Sequence, residues 1–385
     1  MTMDNEELIS QICKERHHAK ESKRRFLRAG KLYSEYNKLP LKELLDEAEE
    51  EEEQSIRWKK RTLRRRLIDF REYVHSRMLS SSAKMYFQTV LSIYRHFEIE
   101  IHDLPFFSDK NLKQNPPVTF KDIPNKKILK QAIIASDKRM RALILFQSSS
   151  GCALKETLSV TVGDFVEATR EYHTNNDDIY EILKEIHSYD NVVPTFTLRR
   201  HKMNKYYYTF CSPEAVEAII TYLKSRKKKL QLDSPLFDIG QSRLYQKYSE
   251  LNDGLKLGHR GNRRILTSHT VRKYHSTTLN NLNIFSESEV HFMQGRTRAS
   301  LDEIYLMKDP NKLKEKYIKC LKDLQINWDY KIVTTNSPKV QKVIQENNDL
   351  KQELSNYSKR LGNIEEILNS ETDDGWRDII EDPRI

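Results

Sequence analysis

A mainly helical fold with one small β-sheet is what this 385-residue chain predicts, and three observations predict it. Only 10 glycines and 11 prolines punctuate the chain, too few for a many-stranded sandwich or barrel. Apolar residues recur at helical spacing through most of it, and β-branched and aromatic runs concentrate at 192–210. The 37% hydrophobic content supports real cores, which excludes disorder throughout, and the length suits two or three domains. With 66 Lys+Arg against 56 Asp+Glu the formal charge is +10, which points to an anionic partner. No stretch approaches the roughly 18 apolar residues of a membrane span, and MTMDNEELIS lacks the apolar run of a signal peptide. A cytoplasmic protein with no membrane partner is therefore expected.

Residues 1–53 form a charged, helix-prone segment ending in the acidic block Glu49 to Glu53, expected as a solvated lead-in. The sign then flips, with seven bases in the ten residues RWKKRTLRRR: Arg57, Lys59, Lys60, Arg61, Arg64, Arg65 and Arg66. They flank an amphipathic helix with Leu67, Ile68, Phe70, Tyr73 and Val74 on its apolar side. A second helix after Ser80–Ser82 carries Tyr86, Phe87, Val90, Leu91 and Tyr94, so 54–112 reads as a small helical domain. Pro116, Pro117 and Pro124 make 113–125 a linker.

The unit 126–330 opens with helices at 126–137 and 138–149, followed by an extended piece from Val160 and Val162. A hairpin at 192–210 turns around Lys202 to Lys205, and a helix at 213–229 ends in Lys224, Arg226, Lys227, Lys228 and Lys229. The block 265–330 is again mostly helical. Val340, Asn347, Leu354, Leu361 and Leu368 then recur every seven residues, with Val343, Leu350, Tyr357 and Ile364 between them. That heptad seam predicts a coiled coil over 338–369, with Asn347 as a register-fixing polar position, before a tail at 370–385.

Cys13, Cys152, Cys211 and Cys320 are scattered, without a CxxC pair or a histidine at zinc spacing, so no metal site is expected. The informative residues are basic ones and a tyrosine. In SHTVRKYHSTTL, His269 and Arg272 stand at i, i+3 and share one helical face, where they could grip a phosphate. In FMQGRTRASLDEIYLMKDP, Arg296 precedes Tyr305, whose phenol could serve as a nucleophile near cations. Lys202, in the hairpin turn HKMNK, has a flexible ammonium that could donate a proton.

In this order, a basic helical domain, a hairpin lysine, His-x-x-Arg and Gly-Arg-x8-Tyr, the chain over about residues 57–327 resembles the tyrosine recombinase (phage integrase) family. SPLFD at 234–238 is a further family-like feature, and HTVRKYH is similar to archaeal and archaeal-virus members. The resemblance implies a helical, SAM-like core-binding domain before a mixed α/β catalytic domain. It implies that Tyr305 attacks a DNA phosphodiester to give a 3′-phosphotyrosyl bond, without ATP or metal. Arg272, His269 and Arg296 would bind and polarise the phosphate, and Lys202 would protonate the leaving 5′-oxygen. Arg57, Lys59, Lys60, Arg61, Arg64 and Arg65 would contact DNA. The implied partners are double-stranded attachment sites, met in the nucleoid by four protomers, with self-association through the coiled coil. Helix 310–325 would dock on a neighbour through Tyr317, Ile318 and Leu321.

Two positions depart from the family. Its first arginine lies in a motif like T-G-x-R-x-x-E-L, and in SSGCALKETL Gly151 and Glu156 keep their offset while the arginine position holds Ala153, or Leu154 one residue on. Lys155 is the nearby cation, and lysine cannot reproduce a bidentate guanidinium clamp. Arg296 stands where the family usually has His or Trp. The alternative is a catalytically impaired relative that acts as a DNA-binding or architectural protein, and a type IB topoisomerase is a third possibility of the same chemistry.

Overall fold

The computed structural model describes residues 5–108, 119, 122–174, 178–200, 205–261, 263–296, 309–326, 354 and 356–357, and contacts divide the chain into Met1–Pro117 and Val118–Ile385. In the first unit run α1 (Asn5–Glu15), α2 (Lys20–Asn37), α3 (Leu41–Glu53), α4 (Thr62–Arg77) and α5 (Ser80–His96). Each turns one stripe inward at spacings of three and four: Leu8, Ile9 and Ile12; Phe26, Ala29 and Tyr33; Leu41, Leu44, Leu45 and Ala48; Leu63, Leu67, Phe70 and Val74; Phe87, Val90, Leu91 and Tyr94. All of them enter a single core. A Cβ on Gly30 would lie 2.6 Å from Ile9 Cδ1, so the bare backbone there lets α1 close on α2. The hydroxyls of Tyr33 and Tyr94 meet at 3.1 Å in the middle of that core, satisfying each other where water is excluded.

That single core corrects the division at residue 53, because α1 to α3 are load-sharing members of the bundle and not a solvated lead-in. The acidic block is put to use as well. The Glu51 carboxylate accepts the backbone N–H groups of Thr62 (2.6 Å) and Leu63 (3.3 Å), the unpaired donors at the start of α4, where the helix dipole favours an anion. Glu52 pairs with Arg61 at 2.9 Å, and Arg61 also donates to Ile56 O. The basic stretch begins with a 3₁₀ turn, Trp58–Lys60, and α4 starts at Thr62, so Arg64, Arg65 and Arg66 lie inside the helix.

The second unit is built around α7 (Lys138–Ser150), preceded by α6 (Lys126–Ile134). Asn125 and Asp137 cap them by accepting Ile128 N–H and Met140 N–H. Every residue from Ala142 to Ser150 is buried, as a helix packed on all sides requires. Around it lie α11 (Pro213–Lys224) and α13 (Ser268–Asn281). After α7 come α8 (Leu154–Ser159), α9 (Val162–Ala168) and α10 (Ile179–His187). The extended piece expected from Val160 is helical from Val162, because Thr161 and Asp164 form a capping box that starts α9 there. The SPLFD segment runs beside that start, with Val162 N–H donating to Ser234 O (2.9 Å) and Leu236 N–H to Val160 O (2.8 Å).

Strands β1 (Thr195–Arg200) and β2 (Lys205–Phe210) pair antiparallel, Thr195 opposite Phe210 through Arg200 opposite Lys205. Phe196 and Leu198 face inward while Thr197 and Arg199 face out, so the strand period carries Arg200 onto the inward side. α11 ends at Lys224, which leaves Arg226 to Lys229 beyond the helix expected to contain them. Then follow α12 (Gln241–Gly254), the short pair β3 (His259–Arg260) and β4 (Arg263–Arg264), α14 (Glu287–Met293) after α13, and α15 (Pro310–Leu324).

α15 does not hold its apolar face free. Leu313, Tyr317, Cys320, Leu321 and Leu324 are buried with Val193, Phe210, Leu279 and Val290 of the same chain, and Tyr317 Oη donates to Ser149 O at 2.8 Å. Tyr317 and Leu321, expected as anchors on a neighbour, are buried within this unit, with Ile318 at the edge of the cluster. Of the heptad segment 338–369, Leu354, Asn356 and Tyr357 are described and the rest lies outside the described residues. The four cysteines are free and buried, and among the described residues no helix is long and apolar enough to cross a membrane.

Candidate active site

One corner of the second unit gathers the end of α7, the start of α8, the end of β1, α13 and the turn after α14. α13 is set by a capping box between Thr267 and Thr270, which fixes the register of everything it carries. In that register Arg272 is 4% exposed and His269 lies on the accessible side. Arg272 Nη2 donates to Gln294 O (2.7 Å), and Gln294 Nε2 returns a bond to Arg272 O (3.2 Å). The same amide lies 3.0 Å from His275 Nδ1. Burial and the charges of Arg272 and Arg296 push the His275 pKa down to about 3, which keeps the imidazole neutral.

Gly151 holds the end of α7 against this layer. Its φ is +65°, and a Cβ there would fall 2.4 Å from His275 Nδ1, so both backbone and space require glycine. Past it, Ala153 caps α8 without a side-chain bond, Leu154 packs on the core and Lys155 is exposed. Glu156 is 4% exposed, and its Oε2 lies 3.2 Å from Nη1 of Arg200 at the end of β1. A Cβ on Gly295 would sit 3.1 Å from Arg200 Cδ, so Arg200 also lies against the turn that leads to Arg296.

The electrostatics are lopsided. Burial first, and then the positive charges of Arg296 and Arg200, bring the pKa of Arg272 down to about 10. Arg296 is shifted down by its own burial and then by Arg200. His269 is shifted down by partial desolvation and then by Lys273, Arg296, Arg272 and Arg263. Guanidinium groups stay protonated, so these shifts record cations held together without enough counter-charge. Glu156, beside Arg200, is the one carboxylate in an ion pair with any of the three arginines among the described residues. Arg272 Nη1 is buried and has no hydrogen-bond partner there. An anion with several acceptor oxygens, such as a phosphodiester, would satisfy this corner.

The structure places His269, Arg272 and Arg296 near one another, together with Arg200, Gln294 and His275, which sequence reasoning did not single out. Lys202 and Tyr305 lie outside the described residues. Tyr274, a second conceivable nucleophile, is buried and donates to Asp323 O at 3.0 Å, a packing role. In the first unit Arg57, Lys59, Lys60 and Arg65 are exposed and Arg64 partly so, while Arg61 is turned inward at 8% exposure and cannot serve as a DNA contact.

No protein-family model matches the chain, and no curated protein does. Among solved structures it is similar to the XerH site-specific recombinase bound to palindromic difH substrate in a post-cleavage complex, at 14% identity over 81% of this chain and 83% of that one, with a TM-score of 0.49. It is similar to the Tn1549 transposon integrase in complex with circular intermediate DNA, at 14% identity over 83% and 100%, TM-score 0.47. It is similar also to the integrase from mycobacterium phage Brujita, at 9% identity over 86% and 96%, TM-score 0.32.

Proposed function

We propose that this chain is a site-specific DNA recombinase of the tyrosine type. The observation that carries it is the corner where Arg200, Arg272 and Arg296 lie close enough to repel one another, with Glu156 beside Arg200 and Arg272 Nη1 buried without a partner. Such a preorganised cationic pocket stabilises charge on non-bridging phosphate oxygens most strongly in the transition state. Tyr305 Oη attacks the phosphorus, the P–O5′ bond breaks, and Lys202 gives its proton to the departing 5′-oxygen. His269, held neutral by its environment, accepts the phenolic proton. The resulting 3′-phosphotyrosyl bond keeps the energy of the broken linkage, and a 5′-hydroxyl of the partner strand later displaces the tyrosine. Four protomers would hold two attachment-site duplexes in the nucleoid, with heptads 338–369 adding self-association, and Lys273 after Arg272 favours the archaeal or archaeal-virus branch.

The test is a nicked attachment-site duplex whose 5′-fragment diffuses away after cleavage and so traps the adduct. A covalent protein–DNA band, absent in Tyr305→Phe, supports a strand transferase. Binding without adduct would return the chain to the architectural alternative, and relaxation of supercoils without strand exchange would favour the topoisomerase.

A further inference from the structure

The motif that should carry the first arginine holds Ala153 and Leu154, yet its glutamate is not idle: Glu156 is buried and faces Arg200 at 3.2 Å. We propose that Arg200, at the end of β1, supplies the guanidinium that the family places on the α7–α8 turn. The group reaches the same corner from a different element. This inference rests on the recombinase reading and names one further catalytic residue for it.

Strand geometry explains the delivery. Phe196 and Leu198 occupy the inward face of β1, and the next inward position is Arg200, a cation where the pattern calls for another apolar side chain. Its side chain is 18% exposed, with the aliphatic stem against Gly295 and the head toward Glu156. Neither Glu156 Oε2 nor Arg200 Nη1 makes an aligned hydrogen bond, so the pair is close without being closed. An arginine placed only for structure is expected to be fully bonded by its carboxylate. Arg200 instead adds to the positive field at both Arg272 and Arg296, which costs stability until an anion arrives. With a phosphate between them, Arg200 and Arg272 approach it from β1 and α13, and Glu156 fixes the Arg200 head. Lys155, the cation nearest in sequence to the vacant position, is exposed and has no such placement.

The experiment uses the full-length chain with Arg200→Ala and Arg200→Lys. Two measurements are made on each: the single-turnover rate of adduct formation at saturating nicked DNA, and the rise in melting temperature on adding orthovanadate as a phosphate mimic. Both variants are expected to form adduct at least about 10²-fold more slowly, with DNA affinity changed only a few-fold, because lysine cannot replace a bidentate fork. Both should also lose most of the vanadate-induced stabilisation shown by the wild type. Adduct rates within about threefold of wild type in both variants would overturn the assignment. If the wild type forms no adduct, the recombinase reading fails separately. The vanadate shift then decides: lost in both variants, Arg200 is an anion clamp; retained in the variants or absent from the wild type, it is not.

Discussion

Two sets of arginines in this molecule look alike in sequence and behave oppositely in structure. In the first unit Arg61 meets Glu52 at 2.9 Å and Arg66 meets Glu47 at 2.9 Å, each basic head answered by its own acid. In the second unit Arg200, Arg272 and Arg296 crowd together with Glu156, beside Arg200, as the one paired carboxylate among the described residues. The first arrangement is finished within the chain and stabilises it. The second is unfinished and asks for an external anion. Burial therefore does not by itself sort structural from functional arginine; the local count of opposite charges does.

The sharpest way to break that contrast is catalytic. Arg272→Ala should slow adduct formation by about 10²–10³-fold or more, since it removes the most buried cation of the pocket, and Tyr305→Phe should abolish it while leaving binding nearly intact. Equal rates in wild type and Arg272→Ala, read from the same nicked duplex, would end the comparison.

Acid stability comes next. His269 and His275 have folded-state pKa values below their unfolded values, so the folded chain is favoured by neutral imidazole. The unfolded state binds protons first as pH falls below about 6.5. Stability should therefore be full above that pH and fall below it, for His275 by about 1.4 kcal/mol per pH unit until its folded pKa near 3. Denaturant titrations from pH 7.5 to 4.5 measure this. A saturating vanadate concentration should shift the fall to lower pH, if vanadate binding compensates the charge around these rings.

A smaller effect separates the paired arginines. Arg61→Ala removes the cation beside Glu52 and should cost about 2 kcal/mol, below the ~3–5 kcal/mol of a fully buried pair because Glu52 keeps solvent contact and the backbone N–H of Glu100. It should not alter the DNA salt dependence. Conversely, Lys59→Ala with Lys60→Ala should leave unfolding unchanged within about 0.5 kcal/mol and flatten the salt slope of binding by about one for each lost phosphate contact. The same slope in wild type and double variant would remove these lysines from the interface.

Much of the helical framework is legible because each helix writes its buried stripe at spacings of three and four, as Phe26, Ala29 and Tyr33 do. The hairpin is legible because two runs rich in β-branched and aromatic residues flank a polar turn. Val160 and Val162 mislead, since their propensity favours a strand while Thr161 and Asp164 start a helix; a cap satisfies orphan backbone donors and outweighs a weak preference. The acidic block misleads for a related reason. Charge composition says solvated, but Glu51 and Glu52 have partners that only folding brings to them. At the site, His269 and Arg272 are legible because their spacing is local. Arg200 is not, because its meeting with Glu156 depends on tertiary packing that no short motif records.

The home docking of α15 sets a leash. Only four peptide links separate Tyr305 from Asp309, the residue that caps α15, and four residues span at most about 14 Å. With Tyr317 and Leu321 sunk into the chain's own body, the recombinase reading predicts that Tyr305 serves the pocket of its own protomer and not a neighbour's. Mixing Tyr305→Phe chains with Arg272→Ala chains should then fail to restore cleavage, since no protomer in the mixture would hold both an attacking oxygen and a complete cradle for the phosphate.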